Sequence, residues 1–219
     1  LQHNMLHELP KGDVLIHAGD ISNKGGEKDV TEFIHWFENI EGFDTKIFIA
    51  GNHDFCFERV NQPHHKGDYD WLHNLMAPEN LSQSDVTYLE DSFITIETPE
   101  FSRPIKFYGS PWQPNFYDWA FNADNPQLYE LWEKIPGNTD ILLTHGPPHK
   151  LLDLTYDNRN VGCEILKMNI LKRVKPMIHA FGHIHEARLK LKFGDTTFIN
   201  SCCLDEDYQY KNEPIVVEI

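Results

Sequence analysis

Four short hydrophobic runs in this chain each stop beside a glycine and a side chain able to bind a metal. They are Val14-Leu15-Ile16-His17-Ala18 before Gly19-Asp20, and Ile47-Phe48-Ile49-Ala50 before Gly51-Asn52-His53-Asp54. Ile141-Leu142-Leu143-Thr144 leads into His145-Gly146, and Met177-Ile178-His179-Ala180-Phe181 leads into Gly182-His183-Ile184-His185. Runs of this length, bounded by turn residues, read as buried strands, and in an α/β sheet ligands gather beyond the carboxyl ends of the strands. Four such ends would bring Asp20, Asn52, His53, His145, His183 and His185 to one edge. Imidazoles, a carboxylate and an amide oxygen, with no thiolate, suit Mn, Fe or Zn better than they suit a structural zinc cage.

Between these runs the chain alternates strand-like and helix-like segments, the signature of α/β layers. Val30, Phe33, Ile34, Phe37 and Ile40 recur at spacings of three and four, so they predict a helix with one apolar face. Residues 56–80 are polar and His-rich and read as a long surface excursion. Residues 86–97 and 104–109 read as two strands. The aromatic stretch from Phe107 to Phe121 is expected to form a core seam, with the wall of a cleft as the alternative. Helices are predicted over 126–135 and 162–174. The second ends in Lys172, Arg173 and Lys175, which suit a helix C-terminus, and Pro176 stops it. Residues 187–193 and 196–201 around Gly194-Asp195 predict a β-hairpin, and 215–219 a closing strand.

With 219 residues and no linker-like or repeated segment, one domain over 1–219 is expected. A formal charge of −15 offers no basic stripe, so stable binding to a nucleic-acid polymer is not expected; bound cations would still admit an anionic substrate locally. Cys56, Cys163, Cys202 and Cys203 lack paired spacing and read as free thiols of a reducing compartment. With no membrane-length apolar run and no signal peptide, a cytoplasmic location away from membranes is expected. Oligomeric state is open.

Asp20 carries two oxygens and can therefore bridge two cations. Two ions roughly 3.5–4 Å apart can share a hydroxide and clamp a phosphoryl group for in-line attack. At this point the sequence resembles the calcineurin-like metallophosphoesterases. Their motifs appear as Gly19-Asp20, Gly51-Asn52-His53-Asp54, Thr144-His145-Gly146 and Gly182-His183-Ile184-His185. Thr144-His145-Gly146-Pro147-Pro148 and Val161-Gly162-Cys163 narrow the likeness to the metallophosphoesterase-domain-containing branch.

The resemblance implies a two-sheet β-sandwich flanked by helices, an α/β fold with the four motifs on one rim. It implies a dinuclear-metal phosphodiesterase or phosphatase acting on small phosphate esters, nucleotides or cyclic nucleotides among them. Asp20 would bridge two divalent ions; Asn52, His145 and His183 would complete one site and His185 would belong to the other. His53 would touch the phosphate, with Asp54 orienting its imidazole. Asn52, His53 and His149 are the residues expected to meet substrate.

The family begins with an inner strand ending in Asp-x-His, and no such motif precedes Asp20 here. The sequence is therefore expected to be a shortened form of the natural protein. A chain truly without the motif is expected to hold one ion well. The rival expectation is a degenerate scaffold on this fold that binds a partner protein with little catalysis. Most of the thirteen histidines need no special role: His17 and His179 read as core residues, and His64 and His65 as loop residues. Lys24, Arg159, Asn158 and Asn160 are weaker candidates for substrate contact, and Cys163 reads as a packing residue.

Overall fold

The structure, a computed structural model, describes residues 9–59, 69–77, 85–97 and 102–219. In chain order these form β1 (Val14–His17), α1 (Glu27–Glu38), β2 (Thr45–Phe48), α2 (Phe55–Arg59), α3 (Asp70–Leu75), β3 (Val86–Tyr88), β4 (Ser92–Ile96) and β5 (Ile105–Ser110). The short β6 (Gln113–Pro114) and β7 (Asn122–Ala123) follow, then α4 (Asn125–Glu133), β8 (Ile141–Thr144), α5 (Glu164–Asn169), β9 (Ile178–Phe181), β10 (Leu189–Phe193) and β11 (Thr196–Asn200). One large sheet has the order β1-β2-β3, a second has the order β10-β11-β9-β8-β5-β4, and β6 and β7 form a separate two-stranded pair.

Side-chain alternation explains the layering. Ile47 and Ile49 face Phe107, Ile141, Leu143 and Ile199 in a core between the sheets. The intervening Phe48 and Ala50 point the other way, onto Val30, Phe33, Ile34 and Phe37 of α1. On the far side, Tyr108, Leu142, Phe181 and Phe198 pack against Leu128, Trp132, Leu166 and Ile170. Strands buried on both faces carry continuous hydrophobic runs, which is why these segments do not alternate in polarity. The result is two sheets between helices, an α/β sandwich.

The predicted helices form where expected. An Asp124–Gln127 capping box with Pro126 in the first turn starts α4. Cys163 caps α5, its Sγ accepting from the Leu166 N–H, and the helix runs on as a π turn to Val174. Burial pushes the Cys163 thiol above its ordinary range, in keeping with a packing role.

Three segments differ from the sequence reading. Residues 86–97 are not one strand: β3 pairs with β2 in the first sheet, whereas β4 pairs with β5 in the second. Asp91, at φ +45, breaks the run between them, because a left-handed residue cannot continue a strand. The polar excursion holds the helices α2 and α3, which bury Cys56, Phe57 and Leu72; His64 and His65 lie outside the described residues. The closing strand is absent among the described residues: Ile215 and Val217 pack on the inter-sheet core without laddering, and Pro214 removes a backbone donor there.

Among the described residues β1 is an edge of its sheet and only half-buried along its length. A cavity of about 650 Å³ is lined by residues of β1, by Ile215 and Val217, and by Asp20 and His183. Among the described residues no helix is long and apolar enough to cross a membrane.

Candidate metal centre

Parallel pairing places four strand ends together, since β1 runs with β2 and β8 runs with β5 and β9. The backbone then turns sharply at each ligand. Gly19 has φ +94, and Asp20 itself has φ +58. A Cβ on Gly19 would lie 2.6 Å from the Ala50 carbonyl oxygen and 2.7 Å from His145 Nδ1. Glycine at this position lets two strand ends close on one imidazole. The Gly182 N–H donates to the His145 carbonyl at 3.0 Å, and His183 follows at φ +68.

Asp20, His145 and His183 each offer a ligand atom, and the three atoms lie within 4.8 Å of one another. His145 Nε2 is 3.4 Å from Asp20 Oδ2 and 2.8 Å from Asn52 Oδ1. The His145 and His183 ring centroids are 5.0 Å apart. One carboxylate oxygen, two imidazole nitrogens and a neighbouring amide oxygen fit a borderline divalent cation in both chemistry and spacing.

The electrostatics agree with that set. Burial alone would raise the Asp20 pKa, but His145 and His53 hold its carboxyl far below the usual range. Burial opposes charge on His145 as well, and the adjacent Asp20 outweighs it, so the His145 pKa is raised. Burial first, and then His145, bring His183 down to about 3, which leaves it a neutral imidazole.

His53 sits at the margin of the triad. Its backbone N–H donates to Asp20 Oδ1 at 3.0 Å, and its Nδ1 donates to the Asn23 carbonyl at 2.8 Å. The expected orientation of this ring by Asp54 is not what forms. Asp54 is fully buried and faces the other way, accepting from the N–H groups of Ile21, Ser22 and Gly51 and from Ser22 Oγ. Burial, and then Asp20, push the Asp54 pKa up. Adjacent residues in a turn diverge, so Asp54 fastens the Asp20 loop to the Asn52 loop and the Asn23 carbonyl orients His53.

His185 lies outside the triad. Strand β9 ends at Phe181, and the left-handed His183 breaks the alternation that would have put both histidines on one face. His185 opens a 3₁₀ turn, and its Nδ1 donates to the Asp205 carbonyl at 2.6 Å. His149 is also apart from the triad, with Asp153 Oδ2 at 3.6 Å and Glu164 Oε2 at 3.9 Å. Arg159 is bonded to Asp157, and Asn160 to Asp153.

His179 stays in the core beside Thr144 Oγ1, and burial lowers its pKa to about 3. His17 packs edge-on against Phe33. All four cysteines are free.

The aromatic stretch divides. Phe107, Tyr108 and Phe121 are buried, whereas Trp119 stands 4.3 Å from the His53 ring and Phe116 5.6 Å from His183. Sequence reasoning found no role for Asn23 or Tyr208. The Asn23 contact runs through a backbone carbonyl, which leaves no residue-type signal.

A calcineurin-like phosphoesterase family model matches residues 2–187. The chain is 40% identical over 222 residues to the human metallophosphoesterase domain-containing protein 1, covering 97% of this chain and 66% of that protein. It is 34% identical over 229 residues to a Caenorhabditis elegans UPF0046 protein, covering 98% of this chain and 56% of that one. The chain thus spans less than two thirds of the length of these relatives. A solved structure with 12% identity superposes with a TM-score of 0.57 over 80% of this chain and 63% of that one, a likeness of fold.

Proposed function

Since this chain belongs to the calcineurin-like phosphoesterase family, we propose that it is a metal-dependent hydrolase of small phosphate mono- or diesters, nucleotides and cyclic nucleotides among them. The observation that carries this reading is the convergence of Asp20, His145 and His183 within 4.8 Å at the ends of strands far apart in sequence. Asp20, His145, His183 and Asn52 would hold one Mn, Fe or Zn ion, and Asp20 with His185 would contribute to a second. Such ions supply Lewis acidity toward phosphoryl oxygens and lower the pKa of water.

The chain's own groups have separable tasks. With Nδ1 committed to the Ala18 carbonyl, His145 presents Nε2 toward Asp20 and Asn52. A fixed outer partner of this kind sets the tautomer and aims the ring of a metal-binding histidine. Asp20, ionised at neutral pH, supplies the negative charge that retains a cation. With Nδ1 bonded to Asn23, His53 keeps Nε2 to hold a phosphate oxygen or protonate the leaving oxygen. The four free cysteines support a reducing, cytoplasmic setting, and the charge of −15 argues against a nucleic-acid polymer, while bound cations would admit a small anionic substrate at the site.

The test is hydrolysis of bis(4-nitrophenyl) phosphate with added Mn²⁺, by the wild type and by His145→Ala and His53→Ala variants. Release of nitrophenolate that depends on Mn²⁺ and on both histidines is expected. Equal rates in the three proteins would remove the assignment.

A further inference from the structure

The segment after β11 carries an aromatic side chain to the metal centre on a purpose-built turn. Leu204 bridges to Tyr210, Asp205 N donates to the Gln209 carbonyl at 2.9 Å, and Tyr208 N donates to the Asp205 carbonyl at 3.0 Å. The Asp205 carboxylate accepts from the N–H groups of Asp207 at 3.1 Å and Gln209 at 3.0 Å. His185 donates to the carbonyl of the same Asp205, so the turn is anchored to a motif of the centre.

Tyr208 occupies this turn at φ +58, a left-handed conformation disfavoured for a bulky side chain. Strain of this kind persists where the surrounding structure imposes it, and it concentrates at ligand-contacting positions. Its side chain is 46% exposed, so burial does not account for the placement. The ring centroid stands 5.1 Å from His185 and 5.8 Å from His53.

A second segment supplies matching rings. Trp119 lies against the other neighbour of that centre, 4.3 Å from His53, and Phe116 meets His183 edge-on at 5.6 Å while remaining 43% exposed. Asn122 holds this loop, accepting from Phe116 N at 3.0 Å and donating to the Tyr117 carbonyl at 2.7 Å. Three aromatic rings on two independently braced loops therefore border His53, His183 and His185, three of the four histidines of the rim.

We infer that Tyr208, together with Phe116 and Trp119, forms an aromatic collar that receives a planar aromatic substituent of the bound phosphate compound, and that Tyr208 sets this preference. The inference rests on the phosphoesterase reading for the placement of the phosphate. It goes beyond that reading by assigning a specificity residue and the chemistry it selects. Aromatic rings favour one another in offset or edge-on contact, which an alkyl substituent does not provide.

Calorimetric binding of phenylphosphonate and methylphosphonate to the Mn²⁺-loaded protein tests it. The wild type is expected to prefer phenylphosphonate by about fivefold, the scale of one aromatic pair. Tyr208→Ala and Tyr208→Leu should each reduce that ratio by about threefold, and Tyr208→Phe should retain it. No binding of phenylphosphonate, no preference in the wild type, or an unchanged ratio in Tyr208→Ala would each overturn the inference. Hydrolysis of bis(4-nitrophenyl) phosphate, measured on the same preparations, separates the two readings. A Tyr208-dependent preference without hydrolysis leaves the collar standing and removes the enzyme; hydrolysis with a Tyr208-independent ratio does the reverse.

Discussion

His145 donates through Nδ1 to the carbonyl oxygen of Ala18, 2.9 Å away and 127 positions earlier in the chain. That bond joins the end of β8 to the end of β1 and leaves Nε2 to face Asp20 and Asn52. A backbone carbonyl can only accept, so the proton on Nδ1 is fixed by the fold and the second nitrogen is directed at the ligand set.

Removing a member of the triad should therefore remove metal. His145→Ala and Asp20→Asn are expected to weaken Mn²⁺ binding by more than the roughly 10–100-fold that loss of an outer-shell partner costs. In the wild type a cation must displace the proton that Asp20 stabilises on His145, so affinity should fall as the pH is lowered below the raised His145 pKa. Titration calorimetry at several pH values measures both effects. A pH-independent affinity between 5 and 8 would contradict the assignment.

Gly51 tests the closeness of the packing. A Cβ there would overlap Asp20 Oδ1 and stand 2.6 Å from His145 Cε1. Gly51→Ala should displace the carboxylate, costing about 1–3 kcal/mol of stability as overpacking does and lowering metal content. Thermal unfolding and metal analysis of the purified variant read the two consequences, and a variant indistinguishable from wild type in both would refute the geometry.

His53 and Asp54 should fail in different ways. His53→Ala is expected to reduce kcat by about 10²–10⁴, the range for a positioned proton donor, with metal content preserved. Asp54→Asn turns an amide N–H₂ toward buried N–H donors, and so should cost about 1–3 kcal/mol of stability. If Asp54→Asn unfolds like the wild type while its pH–rate profile shifts, Asp54 acts on the His53 ring after all.

Asp140, at the entry to β8, gives a pH-dependent stability term away from the centre. It accepts from the Arg103 guanidinium at 2.6 and 2.8 Å and from Lys106 N at 2.9 Å. The Arg103 bonds, foremost, lower its pKa. A carboxyl with a depressed folded pKa stabilises above its unfolded value of about 3.9, and that stabilisation is lost as the pH falls through the folded value. Asp140→Asn should unfold at a lower temperature than wild type at pH 7, with the gap closing below about pH 4. A gap that stays constant down to pH 3 would exclude the ion pair as its source.

The ordered inventory of Asp20, Asn52, His53, His145 and His183 was legible because each residue follows a continuous hydrophobic run, and strands buried on both faces must be written that way. The face of α1 and the boundaries of α4 were legible for a similar reason: helical period and capping are local properties. The split of residues 86–97 between two sheets was not legible, since β-branched and aromatic content marks a strand without naming its partner. Nor was the true partner of His53, because a backbone carbonyl at Asn23 looks the same for every residue type.

By itself, then, the sequence determined the four buried strands that carry the motifs and which side chains stand at their ends, since both follow from patterns within a few residues. The tertiary structure decided what those side chains do to one another. Asp54 fastens two loops, His185 is tied through Nδ1 to the Asp205 turn, and Tyr208 and Trp119 reach the His53 ring from separate loops. Such relationships depend on distances between segments far apart in the chain, which are fixed only when the two sheets pack and their loops close over the common rim.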